Sequence, residues 1–294
     1  MQFAFSTKIL RLQPLFEAID FVAKAGFRAV EIMADRPHAF PEDLTAPKIQ
    51  SLNQFLQERK LKVSNLYSSM VATLQDTHNP SWIEEDWKKR ELRIRYTLDC
   101  LRLAAVMGIP HVTTLPGGPI PAGTTRFDAW RLFIANMHRV LPLARKLGVK
   151  LLIDPEPGLL IESSESILEF LKELDYDECL RVDFDVVHFY CAGEDPCQAW
   201  EKLCPYVAQV HLADAPADRS HCHVPLGEGV MELGALLSSL QQSDFQGFVV
   251  IRPDCHEQNM EKIVYGSASY LEQAGFALRK TDHCPICSPP EGVC

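Results

Sequence analysis

Short apolar runs recur along the chain, each followed by a longer stretch whose apolar residues fall three and four apart. The runs cover residues 3–7, 29–34, 63–68, 111–116, 150–157, 181–188, 207–214 and 248–253 and read as strands. The longer stretches, among them 15–24, 47–59, 88–106, 127–147, 164–174 and 233–242, read as amphipathic helices. In one of them Leu98, Leu101, Leu103, Ala104 and Met107 form the apolar stripe. Gly26, Gly108, Gly148 and Gly247 stand between a helical stretch and the next strand, as helix-ending glycines do. Strand then helix, repeated eight times, predicts a parallel sheet closed into a single (β/α)8 TIM barrel. An open doubly wound sheet would carry a glycine-rich phosphate-binding turn after its first strand. Here that strand runs into Ser6, Thr7 and Lys8 with no glycine beside them.

Length and composition fit one barrel. The chain has 294 residues, of which 47% are hydrophobic, and a parallel barrel takes about 250. The pattern assigns residues 1–278 to the barrel and leaves 279–294 as a cysteine-rich tail. Cys284 and Cys287 have zinc-knuckle spacing, with His283 and Cys294 as further donors. The tail has too little chain and too much proline for a closed zinc fold, so a flexible segment is expected.

Acidic residues outnumber basic ones by 39 to 29, a net charge of −10. Such a surface repels phosphate backbones and anionic membranes, which argues against nucleic-acid and membrane partners. Arg90, Arg93 and Arg95 read as the solvated face of a helix. No run approaches the roughly 20 apolar residues that span a bilayer. The N-terminus lacks the pattern of a secretory signal, so a cytoplasmic protein is expected, compatible with a homo-oligomer. In that compartment its ten cysteines read as thiols.

Candidate chemistry lies at the strand ends, where barrels of this kind carry their reactive groups. Residues two apart on a strand share a face. Asp154 and Glu156 close the fifth run, Asp183 and Asp185 the sixth with His188 just beyond, and Gln209 and His211 lie in the seventh. Acids and an imidazole converging on one mouth need a cation, a proton or a polar ligand. Carboxylate plus imidazole suits manganese, magnesium, iron or zinc. After the seventh run come Arg219, His221 and His223, then Leu226, Gly227, Glu228 and Gly229.

These pieces in this order resemble the sugar phosphate isomerase/epimerase group of xylose-isomerase-like barrels. That group includes the tagatose/psicose epimerases and the apurinic endonucleases. The resemblance rests on Asp154, Pro155, Glu156, Pro157 and Gly158, on the D-x-x-H of Asp185 and His188, on Val210 to Asp214, and on Leu226 to Gly229. The segment from Thr113 to Pro119 contributes too, and together they cover about residues 1–278. Carried over, the resemblance implies metal ligands at Asp154, Asp185 and His211, with Arg252 at the fourth position. It implies substrate contacts by His188 and Arg219, joined by His223, and proton transfer by Asp154 or Glu156.

Two of the four ligand positions depart from the family pattern, which has glutamate where this chain has Asp154 and Arg252. Asp154 is one methylene shorter. Guanidinium stays protonated and offers no lone pair. A unit charge ~4 Å from a dication costs roughly 8 kcal/mol at an effective dielectric of 20. A divalent ion (manganese, magnesium or zinc) is therefore expected to be bound weakly or lost, with Arg252 paired to Asp154 or Asp185. The endonuclease branch needs further histidines at the ends of the third and fourth strands, and His111 lies at the wrong end of its strand.

The reading that follows is an isomerase- or epimerase-like enzyme. Its substrate would be a small polyhydroxylated or keto-enol compound, and its reaction a proton transfer next to a carbonyl. Asp154 or Glu156 would be the base, with Arg252 or a metal as the cation. The competing reading is a barrel that binds a small metabolite without turnover, having lost the full metal site.

Overall fold

The computed structural model describes residues 1–69, 78–254 and 259–278. The tail containing His283, Cys284, Cys287 and Cys294 lies outside these residues. Eight strands close a barrel in chain order: β1 (Gln2–Ser6), β2 (Ala29–Met33), β3 (Lys62–Tyr67), β4 (His111–Thr114), β5 (Lys150–Ile153), β6 (Leu180–Asp185), β7 (Val207–Leu212) and β8 (Phe248–Ile251). All neighbours are parallel, and β8 returns to β1 through pairs such as Ala4 with Val250. Helices Leu15–Lys24, Ala46–Glu58, Trp87–Met107, Arg126–Leu147, Ser164–Glu173 and Leu233–Gln242 fall where the spacing places them. Val186–Cys191, Pro196–Leu203 and Met260–Gln273 complete the described helices. Among the described residues, no helix is long and apolar enough to cross a membrane.

Alternation decides which side chains meet the helices and which meet the barrel axis. In β5, Leu151 and Ile153 join the large apolar core, whereas Leu152 is buried apart from it. Along the axis, Ala4, Ala29 and Val250 form a small separate apolar cluster. Elsewhere the interior is polar, with Glu31, Asn65, Thr113, Asp183 and Gln209 fully buried. Buried polar groups are costly unless hydrogen-bonded, and here each residue bonds to another, although one oxygen each of Glu31, Asn65, Asp183 and Gln209 has no partner among the described residues. Asn65 Nδ2 donates to Glu31 Oε2 and to Thr113 Oγ1, both at 2.8 Å. Thr113 Oγ1 donates to Asp183 Oδ2 at 2.6 Å.

Several strands stop earlier than their apolar runs. β5 ends at Ile153 because Pro155 and Pro157 have no N–H to continue the ladder. Asp154 and Glu156 therefore do not share a strand face. β6 ends at Asp185, whose carboxylate caps helix Val186–Cys191 by accepting the N–H groups of Val187 and His188 at 2.9 and 3.3 Å. His188 is thereby fixed in the first turn of that helix.

Gly108 and Gly148 end their helices at φ 69° and 68°, as their positions suggest. Gly247 has another reason. A Cβ there would lie 2.5 Å from the Ala208 carbonyl oxygen, so the approach of β8 to β7 excludes any side chain.

Arg93 corrects the reading of a solvated arginine face. Arg95 is exposed, but Arg93 is fully buried. Its guanidinium donates to the carbonyls of Pro80, Ser68 and Ser69 at 2.7, 2.9 and 3.1 Å. It ties together the two sides of the loop after β3. The cysteines also divide. Cys100, Cys179, Cys191, Cys197 and Cys204 are free thiols, but Cys222 is disulfide-bonded. Chain spacing cannot show which sulfurs a fold brings together.

His111 begins β4, at the end of the barrel opposite the C-terminal strand ends, and its ring meets Phe248 edge-on. Burial, helped by Lys150, depresses its pKa from 6.5 to about 4. The neutral ring is the form that folds. Stability is full above pH 6.5 and is lost as pH falls from there through 4, by on the order of 3 kcal/mol. His111→Phe should flatten the stability–pH curve across that window in urea titrations. A variant curve parallel to wild type would show that His111 titrates freely.

Candidate active site

The polar interior leads to one cluster at the C-terminal ends of the strands. Asp183 pairs with Gln209, and Asp185 with His211, across β6 and β7. His211 Nε2 lies 2.8 Å from Glu31 Oε2, and its Nδ1 lies 3.4 Å from Asp183 Oδ1. Gln209 Nε2 donates to Glu31 Oε2 and to Asp183 Oδ2 at 2.9 and 3.1 Å. Burial would raise the Glu31 carboxyl, but the charges of His211 and Arg252 bring it down to about 2. Asp183 goes the other way. Burial, reinforced by Asp154 and Glu31 against the pull of His211, pushes it up to about 7.

Asp154, Asp185, His211 and Arg252 converge above this floor. Arg252 Nη1 donates to Asp185 Oδ2 at 2.8 Å and lies 3.8 Å from Asp154 Oδ2. Its guanidinium also lies 4.3 Å from the centre of the Tyr67 ring, a cation–π contact. Tyr67 donates its hydroxyl to Asp154 Oδ2 at 3.0 Å. His188 Nδ1 faces two acceptors, Asp154 Oδ1 at 3.0 Å and the Pro155 carbonyl at 2.9 Å, so that nitrogen carries a proton. Against burial, Asp185 and Asp154 raise the His188 pKa to about 9. Asp185 stays well below the usual carboxylate range despite burial, because His188, His223 and Arg252 surround it.

A cavity of about 450 Å³ opens onto the cluster, lined by Tyr67, His78, Glu156, His188, His221 and Arg252 among others. That size suits a small ligand. Glu156 Oε1 lies 2.9 Å from His78 Nε2. Burial opposes ionisation of Glu156, but His78 and His188 hold its pKa at about 2.

Two implied substrate contacts lie elsewhere. Arg219 is exposed and turned onto Tyr190, with Nη1 3.1 Å from its carbonyl, and does not line this cavity. The chain at Arg219 has φ 57°, a turn that carries the side chain outward. His223 is buried behind the wall, with Nε2 3.0 Å from Asp185 Oδ2. Its neighbour His221 faces the cavity instead. The glycine-rich turn after it is shaped by Asp214, which accepts N–H bonds from Gly227 and Met231 at 3.1 and 2.9 Å. A Cβ on Gly229 would lie 2.3 Å from Asp214 Oδ1.

Glu31, Tyr67 and His78 belong to this site but were not singled out from sequence. Glu31 had a signal, a carboxylate inside the apolar run Ala-Val-Glu-Ile-Met. His78 had none, since it follows no periodic segment.

The sequence model of the xylose isomerase-like TIM barrel matches residues 19–274. The chain belongs to this family. An inosose dehydratase from Lacticaseibacillus casei is 20% identical over 257 residues, covering 81% of this chain and 81% of that protein. The structure of a D-tagatose 3-epimerase-like protein superposes with a TM-score of 0.78 at 20% identity, covering 93% of this chain and 97% of that one. The IOLI protein, whose structure contains a zinc atom, gives 0.72 at 16% identity, covering 94% and 96%.

The family resemblance raises a metal ion, and the donors can be tested for one. One ligand atom from each of Asp154, Asp185 and His211 lies within 4.8 Å of the others. His211 Nδ1 is 3.7 Å from Asp185 Oδ2 and 3.9 Å from Asp154 Oδ2, so the spacing would suit an ion. The lone pairs suit it less well, although His211 Nδ1 has no hydrogen-bond partner among the described residues. Both Asp185 oxygens already accept bonds, Oδ1 from Val187, His188 and His223, and Oδ2 from Arg252 and His223. Asp154 is engaged by His188 and Tyr67. The fourth corner holds a guanidinium, which repels a dication. These residues do not fit a tightly held divalent ion.

Proposed function

We propose that this chain is a sugar (phosphate) isomerase/epimerase-like enzyme that moves a proton next to the carbonyl of a small polyhydroxylated substrate. One observation carries the reading: Glu156 and Arg252, a carboxylate and a guanidinium, line the same cavity. Glu156 lines the cavity whereas Asp154 is sealed behind Tyr67 and His188, so Glu156 is the carboxylate placed to act as the base once a bound substrate displaces His78 from it. Removing a proton beside a carbonyl places negative charge on the carbonyl oxygen, and positive charge at the cavity floor stabilises it. His188 and His221 present imidazole edges to substrate hydroxyls. The relatives named for dehydration and for epimerisation fit this scheme, because both reactions on a carbonyl-bearing polyol start with loss of that proton.

The test is exchange in deuterium oxide. Purified protein is incubated with a panel of ketoses, their phosphates and cyclic ketopolyols, and deuterium uptake beside the carbonyl is followed by NMR. At least one compound should exchange, and Glu156→Gln should slow that exchange by about 100-fold or more. Exchange unchanged in Glu156→Gln would remove Glu156 as the base. The pairing of Asp154 and Asp185 with internal donors favours a second reading, a barrel that binds a metabolite without turnover. Thermal stabilisation by a panel member without exchange would select it.

A further inference from the structure

We propose that Arg252 is itself the resident cation of this barrel, and that its guanidinium, in place of a divalent ion, receives an oxyanion or carbonyl oxygen of the ligand. Three observations carry this beyond the function proposed above. Arg252 lies beside Asp154 and Asp185, its Nη1 2.8 Å from one and 3.8 Å from the other, where it holds the charge that would neutralise them. Asp185 also accepts from His223 and two backbone N–H groups, and each Asp154 oxygen accepts one bond, from His188 or Tyr67, so an ion entering between them would displace buried bonds. Lastly, Arg252 is 2% exposed, lines the cavity, and keeps its Nε–H buried with no hydrogen-bond partner.

A buried donor of that kind is costly unless something accepts from it. The other orphaned atoms of the cluster, Glu31 Oε1, Asp183 Oδ1 and His211 Nδ1 among them, belong to side chains that already make bonds elsewhere in the floor. The acceptor that fits is an anionic or strongly polarised oxygen on a small molecule. Guanidinium suits this role because its planar fork gives two parallel N–H groups to a carboxylate or enediolate. The contact with the Tyr67 ring and the bond to Asp185 hold the guanidinium in place, so it is positioned before the ligand arrives.

The experiment uses the full-length protein, purified without chelators. Its metal content is measured first, followed by calorimetric titration with manganese chloride. Substoichiometric metal and no saturable manganese binding below about 1 mM are expected. Arg252→Glu, alone and with Asp154→Glu, should then gain manganese affinity by about 100-fold or more. Oxalate, a planar dianion resembling an enediolate, is the ligand probe. It should bind the wild type equally with and without EDTA and at least tenfold more weakly to Arg252→Gln. One equivalent of metal retained by the wild type, or oxalate binding that depends on added manganese, would overturn the proposal. Wild-type metal content and EDTA insensitivity decide even if Arg252→Glu fails to fold. The inference uses the proposed substrate class only in choosing oxalate. Failure of deuterium exchange would leave the metal measurements standing, and a metal-loaded wild type would leave the exchange result standing.

Discussion

Asp185→Ala should lower the folding free energy by about 3–5 kcal/mol, the range seen when one partner of a buried ion pair is removed. Asp185 is fully buried and does three jobs with two oxygens. It caps helix Val186–Cys191, pairs with Arg252 Nη1 at 2.8 Å, and accepts from His223 Nε2 at 3.0 Å. Alanine leaves an arginine buried beside one remaining carboxylate, Asp154, at 3.8 Å. Asp185→Asn keeps an oxygen for the cap and should recover about 1 kcal/mol of the loss. Urea denaturation of the three proteins measures this. A loss under about 1 kcal/mol in Asp185→Ala would mean that Arg252 is satisfied by other groups and that Asp185 is not its main counter-charge.

The second large effect lies outside the cluster. Arg93→Met keeps the bulk of the stem but strands the carbonyls of Pro80, Ser68 and Ser69, each of which now receives a guanidinium N–H. An unsatisfied buried acceptor costs about 1–3 kcal/mol, and water reaching the loop would offset part of it. A net loss of about 3 kcal/mol is expected. The effect should also reach the site, because Pro80 is two residues from His78, the partner of Glu156. Where deuterium exchange is measured, Arg93→Met should slow it by more than the loss of folded protein explains. Arg93→Lys, with fewer donors in a less fixed geometry, should fall between. Equal stability of Arg93→Met and wild type would show that these carbonyls have other donors.

The pattern of the chain carried the architecture because eight strand-and-helix units leave a closed parallel barrel as the arrangement that buries every apolar stripe. It also carried Asp154, Asp185, His211 and Arg252 to one end of that barrel, since a strand's last residues share its end whatever the packing details. The departure at Arg252 was legible for a chemical reason alone: guanidinium has no lone pair to give a metal.

Three-dimensional packing decided the rest. Asp154 and Glu156 look equivalent along the chain, two residues apart. Prolines on either side of Glu156 end the strand, so one carboxylate sinks beneath Tyr67 and His188 while the other faces the cavity. Arg93 looks like its exposed neighbour Arg95, and only the packing of residues 68–69 and Pro80 against its helix shows that three carbonyls await it. His221 and His223 alternate along an irregular segment with no repeating period. Which of them faces the ligand is set by contacts with Asp185 and Asp254, on β6 and beyond β8. Sequence fixes what a residue can donate or accept and the strand end at which it stands. Which neighbours already satisfy it depends on groups far apart in the chain, 180 positions for Glu31 and His211 and 246 for Lys8 and Asp254, and so only the folded chain decides which of these groups remains available to a ligand.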